Sequence, residues 1–339
     1  MTVEAQLRDF LELTGERVSE AVREALQSKG VGDCSKVEGK AGSDVIYAID
    51  RVAEEIIVEA FREEAPALGG IVLVAEGLGE TETCCFPASL PEQDARWRVL
   101  MDPIDGTRCI MYDKRSAFFL AGAARNHGHQ TRMSDMEIAV MVEIPQTRSH
   151  LADTFSAIKG EGVRGIRRNL LTGEKESISP KPSSESSIRG GFAHFARFFS
   201  PGKEVMAKLE ESLLERLFPD VQPGEILTFE DQYASTGGQL YELLTGKDRF
   251  VADLRATLYK SRAGTLRQGH VCHPYDLAAH LIGEEAGLHI TDVEGNPLDG
   301  PFDTTAAMDW IGFANAEIRE EIWPVLKPLL VESGFIVDG

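Results

Sequence analysis

The sequence predicts a mixed α/β protein, and three patterns carry this prediction. Apolar residues recur at helical spacing in the N-terminal segment, and the apolar run Ile71–Ala75 has the length of a buried strand. Beyond residue 188, strand-like and helix-like segments alternate, which is typical of an α/β arrangement. With 339 residues and 42% hydrophobic content, the chain can form one large domain or two modest ones.

Charge and composition limit the partners that we expect. The formal net charge of −20 disfavours binding to nucleic acid or to anionic membranes. No apolar run approaches the length of a membrane span, and the N-terminus has an acidic, amphipathic pattern, so we expect a cytoplasmic protein. The five cysteines form no C-x-x-C pair and indicate reduced thiols.

The N-terminal third is predicted to contain two helices and a buried strand. The first helix spans Leu7 to Leu26 and is expected to end at Gly30, and the second begins with Asp50 as its N-cap. The strand Ile71–Ala75 is followed by Glu76. A carboxylate at the end of a buried strand is costly unless it binds something.

The next strand, from Trp97, leads into Asp102-Pro-Ile-Asp-Gly-Thr107. Since Pro103 has no N–H to donate, we expect the chain to turn there and to aim Asp102 and Asp105 at one point. Gly106 allows close approach to a ligand, and the Gly106 and Thr107 amides are placed to face an anion. Such oxygens beside an anion pocket suit Mg²⁺-assisted phosphoryl chemistry. The alternative is a surface turn, whereas the spacing disfavours a calcium loop.

Further strands are predicted at 117–124, 138–144 and 154–158, before a polar hairpin over 167–177. The intervening segment satisfies G-x-G-x-x-G, but no apolar helix follows it, which disfavours a dinucleotide-binding fold. A Ser- and Pro-rich stretch, 177–187, is the predicted boundary between an N-terminal half, 1–182, and a C-terminal half, 183–339. The elements predicted in the second half are a strand at 188–192, helices at 203–217 and 235–246, a strand at 250–253 and a helix at 274–287.

The last of these helices carries Asp276 in its first turn, where capping alone would account for it. Before it lies a segment without acidic residues, which we call the basic segment; its basic side chains are Arg255, Lys260, Arg262, Arg267, His270 and His273. The segment is either a solvated loop or the collector of a second anionic group on a substrate. Cys272 lies between two histidines, but zinc is disfavoured because no second ligand cluster accompanies it.

Three motifs in order resemble the layout of the inositol monophosphatase superfamily: Glu76 after its strand, the Asp102–Thr107 block, and Asp276-Leu-Ala-Ala ahead of Glu-Ala-Gly287. These are Mg²⁺-dependent, lithium-sensitive phosphatases that also include fructose-1,6-bisphosphatases and nucleotide 3′-phosphatases. The resemblance covers most of residues 40 to 300. It implies a layered αβαβα sandwich, two or three Mg²⁺ ions, a small phosphorylated metabolite as substrate, and a homodimer.

The resemblance also implies roles for individual residues. The implied metal ligands are Glu76, Asp102, the carbonyl of Ile104, Asp105 and Asp276. Asp102 would bridge two ions, and Thr107 with Glu76 would position and deprotonate the attacking water. The implied or candidate phosphate- and substrate-binding residues are Asp105, Gly106, Thr107, Asp253, Arg262 and Arg267, with Asp50 at the rim.

The chain departs from the superfamily pattern at three positions. Gly77 replaces the usual second Glu, for which Glu80 or Glu82 could substitute, and Tyr47 and Tyr275 replace Thr and Trp. We expect a phosphatase for small phosphate monoesters. The alternatives are a sugar bisphosphatase, a nucleotide 3′-phosphatase, and a non-catalytic homologue that binds a phosphorylated metabolite.

Overall fold

The structure is a computed structural model, and it describes residues 2–41, 44–78 and 82–337. Helices and strands alternate along the chain. The helices are α1 (Val3–Cys34), α2 (Ala48–Glu64), α3 (Thr107–Met111), α4 (Lys203–Leu217), α5 (Thr236–Leu244), α6 (Arg255–Ser261), α7 (His280–Glu285) and α8 (Ala316–Glu332). The strands are β1 (Val37–Ala41), β2 (Asp44–Tyr47), β3 (Ile71–Ala75), β4 (Thr83–Phe86), β5 (Trp97–Asp105), β6 (Ala117–Arg125), β7 (Met136–Ile144), β8 (Leu151–Ile158), β9 (Val163–Asn169), β10 (Lys175–Ile178), β11 (Phe192–Phe195), β12 (Asp248–Asp253), β13 (His289–Thr291) and β14 (Trp310–Phe313).

The larger sheet has the order β10-β9-β8-β7-β6-β5-β3-β4, and the smaller has the order β11-β12-β14-β13. Within the larger sheet β3 and β5 are parallel neighbours, with Ala75 paired to Met101. Carboxyl ends of parallel strands meet at one edge, so Glu76 and Asp102 follow this last pair side by side. This pairing is the part of the fold that places the site.

Alternate residues along the strands face different helical layers. Leu73 and Val99 belong to a core shared with α1 and α2, whereas Val72 and Leu100 belong to a core shared with α5 and α7. The smaller sheet covers the far side of α5 and α7, and its other face packs on α4, α6 and α8. The layers therefore run helix, sheet, helix, sheet, helix, and the predicted αβαβα sandwich is confirmed.

Strand β5 corrects one sequence prediction, because the chain does not leave the sheet at Pro103. The ladder with β6 shifts between Asp102 and Asp105, so that Pro103 and Ile104 form a bulge. A bulge leaves residues unpaired, and the missing N–H of Pro103 therefore costs no ladder bond. The strand continues to Asp105, and the turn comes one residue later at Gly106.

Other boundaries differ for local reasons. Helix α1 continues past Gly30 to Cys34, since glycine weakens a helix by only about 1 kcal/mol and does not stop it. The strand expected at 188–192 lies later, as β11. The helix expected from Pro274 is a 3₁₀ turn at Tyr275–Leu277 followed by α7. The basic segment is not all loop, because α6 forms its first part.

The predicted division at residue 182 falls between β10 and β11, the strands that end one sheet and begin the other. It stays a prediction, since one core includes side chains from both halves. Across the residues that the structure describes, no helix is long and apolar enough to cross a membrane.

Candidate metal and phosphate site

Three carboxylates, two of them buried and one half-buried, meet at the end of β5. The side chains of Asp102, Asp105 and Asp276 each offer a ligand oxygen, and these atoms lie within 4.8 Å of one another. The convergence comes from packing of the 3₁₀ turn Tyr275–Leu277 against β5. Residues that are far apart in sequence therefore form one oxygen-only cluster, the donor set that Mg²⁺ prefers.

Asp105 is held by the N-terminus of α5. Its carboxylate accepts hydrogen bonds from the Ser235 hydroxyl (2.7 Å) and from the amides of Gly237 (2.5 Å) and Thr236 (3.3 Å). Burial raises the pKa of Asp105 to about 6, and these donors limit the rise because they stabilise the charged form. A helix start at residue 235 was predicted from the sequence, but its contact with Asp105 was not.

Asp102 and Asp276 have fewer donors. Asp102 accepts a hydrogen bond from the Ile104 amide (2.9 Å), and Asp276 accepts one from the His273 amide (2.6 Å). Burial raises the pKa of each well above its usual range, and the neighbouring carboxylates raise it further. Two poorly solvated negative charges at this distance disfavour ionisation of both acids, and a divalent cation would remove that penalty. The cluster therefore fits a metal ion.

Glu76 lies in the same cleft, where β3 ends. Its charge is the largest contribution from a neighbouring acid to the raised pKa of Asp102. Glu82 does not take the place of the second acid that is missing at Gly77. Its carboxylate accepts hydrogen bonds from the Gly77 amide (3.4 Å) and the Thr304 hydroxyl (2.5 Å). Glu80 lies outside the described residues.

Thr107 and Asp50 form a polar pair at the edge of the cluster. The Thr107 hydroxyl lies 2.8 Å from the carbonyl oxygen of Ile104 and 3.3 Å from Oδ1 of Asp50. The other oxygen of Asp50 accepts a hydrogen bond from the Tyr47 amide (2.7 Å). Asp50 is therefore the third residue of α2 and part of a capping box, which corrects its predicted position as the N-cap.

Gly106 is required by its surroundings. Its φ is +89°, and a Cβ at this position would lie 2.9 Å from Cβ of Ser235. Both the left-handed backbone and the close approach of the α5 N-cap exclude other residues. Gly106 therefore lets two elements from different parts of the chain close the site.

The cleft contains a cavity of about 140 Å³, lined by residues of both predicted halves. Arg255, Phe198, Phe199 and His270 contribute from the C-terminal half. Besides the carboxylate cluster, the lining residues relevant to the predictions are Asp50, Glu76, Ile104, Gly106 and Thr107.

Three predicted substrate-binding residues are not brought to this cleft. Asp253 is fully buried beneath it and paired with Arg255. Arg262 donates to the carbonyl oxygen of Ser333 at the end of α8 (2.8 Å), and Arg267 is exposed in the loop after α6. Among the described residues, the cleft lining includes none of the three. Helix α6 separates the basic side chains from one another. Arg255 begins the helix at the cleft, and Arg262 follows its end beside Ser333.

No protein-family model matches the chain, and no curated protein matches it in sequence. Among solved structures, a protein described as an inositol monophosphatase-fructose 1,6-bisphosphatase is 18% identical, with a TM-score of 0.63 over 95% of this chain and 98% of that chain. The chain has the fold of these phosphatases.

Two further structures agree with this fold. The inositol monophosphatase of Anabaena (Nostoc) sp. PCC 7120 is 15% identical, with a TM-score of 0.59 over 98% of this chain and 97% of that chain. The fructose-1,6-bisphosphatase of Leishmania major is 13% identical, with a TM-score of 0.63 over 94% and 93%. The sandwich is thus matched over nearly the whole chain.

Proposed function

We propose that the chain is a Mg²⁺-dependent phosphatase that hydrolyses a phosphate monoester of a small metabolite. The observation that carries the proposal is the meeting of Asp102, Asp105 and Asp276 in a largely buried, oxygen-only cluster. The shared fold with inositol monophosphatase and fructose-1,6-bisphosphatase structures supports it. Cytoplasmic residence and a homodimer remain part of the proposal.

The proposed ligands of two or three Mg²⁺ ions are Glu76, Asp102, the Ile104 carbonyl, Asp105 and Asp276. When bound, the ions would lower the pKa of a water molecule and neutralise charge on the phosphate. The chain's own contribution is to hold these oxygens in place. Asp105 is fixed by α5, and Asp102 by the bulge of β5.

Thr107 is proposed to orient the attacking water. Its hydroxyl has one proton, so it donates either to Ile104 or to Asp50 at any moment. When the proton is directed to Asp50, the oxygen lone pairs are free to accept a hydrogen bond from water. Glu76 is the proposed base, because Gly77 leaves no second carboxylate beside it.

The proposal is tested by phosphate release from a panel of phosphomonoesters, with Mg²⁺ and with excess EDTA. Activity is expected with Mg²⁺ only, and Asp102→Asn is expected to remove it. Comparable release in EDTA would contradict the metal-dependent mechanism. Binding of Mg²⁺ and of a phosphorylated metabolite without any release would instead support the non-catalytic alternative.

A sugar bisphosphatase is the second candidate, and a nucleotide 3′-phosphatase the third. The observation that favours a substrate with more than one anionic group is the presence of Arg255 in the cleft. The panel therefore includes fructose 1,6-bisphosphate and adenosine 3′,5′-bisphosphate beside inositol 1-phosphate. A preference among these three would separate the candidates.

A further inference from the structure

Arg255 is a buried cation that faces the proposed active site. Its side chain is 5% exposed, yet it lines the cavity that Asp105 and Asp276 also line. An arginine in this position can contact whatever occupies the cleft.

The guanidinium of Arg255 has more N–H donors than its hydrogen bonds within the protein use. Of its five N–H groups, those on Nε (2.8 Å) and Nη2 (2.5 Å) donate to Asp253, and Nη1 donates to the carbonyl oxygen of His270 (3.2 Å). One N–H on each terminal nitrogen is left without a partner among the described residues. Both donors belong to the planar, charged guanidinium, so an oxyanion in the cleft can accept a charge-assisted hydrogen bond from it.

Two aromatic rings and one acid fix that plane. Phe198 and Phe199 lie over the guanidinium, at 4.6 and 5.4 Å from its central carbon to the ring centroids. Asp253 is fully buried, and its two oxygens hold the opposite edge. The two rings lie on the same side of the guanidinium, since their centroids are only 4.8 Å apart, and together with the burial of the side chain they reduce its contact with water.

We propose that Arg255 forms a subsite for a second anionic group of the substrate, either a phosphate or a carboxylate, with Asp253 as its positioning residue. The proposal rests on the phosphatase function and adds the class of its substrate. A charged donor favours an oxyanion over a neutral hydroxyl, because charge-assisted hydrogen bonds are stronger than neutral ones. It also replaces the predicted roles of Arg262 and Arg267 with one residue that the fold brings to the cleft.

The experiment compares matched substrates that differ in the second group alone. Fructose 1,6-bisphosphate is compared with fructose 1-phosphate, and 2-phosphoglycerate with glycerol 2-phosphate, by kcat/KM for phosphate release with Mg²⁺. In at least one of the two pairs, we expect the wild-type kcat/KM to be roughly tenfold or more higher for the substrate that carries the second anion, a ratio that charged hydrogen bonds can produce. The first pair reports a phosphate and the second a carboxylate.

Arg255→Lys keeps the charge but loses the planar pair of donors, and it is expected to bring the preference within about threefold of unity. Arg262→Lys is the matched control, because Arg262 contacts Ser333 outside the cleft, and its preference should equal that of the wild type. Each ratio is measured within one preparation, so partial loss of folded protein cancels.

The wild-type ratios alone can overturn the proposal. Monoester activity without a preference in either pair would refute the subsite and leave the phosphatase function standing. An unchanged preference in a folded Arg255→Lys variant would also refute it. Absence of release from every substrate would contradict the phosphatase function instead; titration calorimetry with fructose 1,6-bisphosphate and fructose 1-phosphate would then test the subsite by binding.

Discussion

Replacement of Asp102 by Asn should stabilise the metal-free protein while abolishing its response to Mg²⁺. The ligand oxygens of Asp102, Asp105 and Asp276 lie within 4.8 Å of one another. Two ionised carboxylates at that distance repel by about 3.5 kcal/mol at an effective dielectric constant near 20. The amide introduced by Asp102→Asn removes the charge at the centre of this cluster, and its oxygen can still accept the hydrogen bond from the Ile104 amide.

Protonation limits how much of this repulsion the wild type bears. Burial raises the pKa of Asp102 well above its usual range, and the neighbouring acids raise it further, so part of this cost takes the form of proton uptake. We therefore expect Asp102→Asn to raise the free energy of unfolding of the apo protein by at most about 3.5 kcal/mol, the repulsion of one ionised pair, which is roughly 5 °C in Tm for a chain of this size.

The same variant loses a metal ligand. Mg²⁺ at a hundred times its Kd stabilises a one-site protein by about 2.7 kcal/mol, so the wild-type Tm should rise on addition of Mg²⁺ and the variant's Tm should not. Thermal unfolding of both proteins is measured in EDTA and in Mg²⁺, at about pH 7.5, where the unfolded-state carboxylates are ionised. Asp94→Asn, at an exposed position, is the control. A variant that is less stable than wild type in EDTA and that keeps the Mg²⁺ response would refute the reasoning.

Two predictions concern other positions. Thr107→Val should lower kcat about 100-fold, the usual scale for a misplaced proton-transfer group. Thr107→Ser should restore kcat, and the Mg²⁺-induced rise in Tm should be the same in both variants as in the wild type. A valine variant with kcat within about threefold of wild type would contradict the role of the hydroxyl. Burial raises the pKa of Asp248 to about 7, so the folded protein keeps a proton on this acid that the unfolded chain loses at about pH 4. The free energy of unfolding therefore falls as the pH rises from about 4 to 7. Asp248→Asn lacks this loss. The free energy of unfolding of the variant minus that of the wild type, measured in urea, should therefore increase by about 3 kcal/mol between about pH 4.5 and 7.5. The same difference at both pH values would contradict the raised pKa of Asp248. The nearby His194, whose pKa burial lowers to about 4, has the opposite pH dependence, but it is present in both proteins.

The elements that carry the site were predictable because their signals are local. An apolar run of strand length ends at Glu76, and a second strand leads to Asp102, so the two acids were expected at strand ends. The order of the three motifs supplied the αβαβα sandwich. The extension of β5 through Pro103 was not predictable, because the bulge that accommodates it depends on pairing with β6.

Contacts across the layers were beyond the sequence pattern. A helix was predicted from residue 235, but nothing in the sequence indicated that its N-terminus would hold Asp105. The basic segment was recognised by its charge, yet charge does not tell which side of a helix each residue occupies. Arg262 follows the end of α6 and contacts Ser333 after α8, whereas Arg255 is the first residue of α6 and reaches the cleft.

The unequal support of the three acids has a consequence for the metal site. Asp105 receives donors from the Ser235 hydroxyl and two amides of α5, so the protein itself compensates much of its charge. Asp102 and Asp276 each receive one backbone donor within the cluster, and burial together with the neighbouring carboxylates raises the pKa of each well above its usual range. A cation would therefore gain most from Asp102 and Asp276, while Asp105 fixes the geometry. The fold thus divides the cluster into an anchored acid and two acids whose charge is left for a metal to balance.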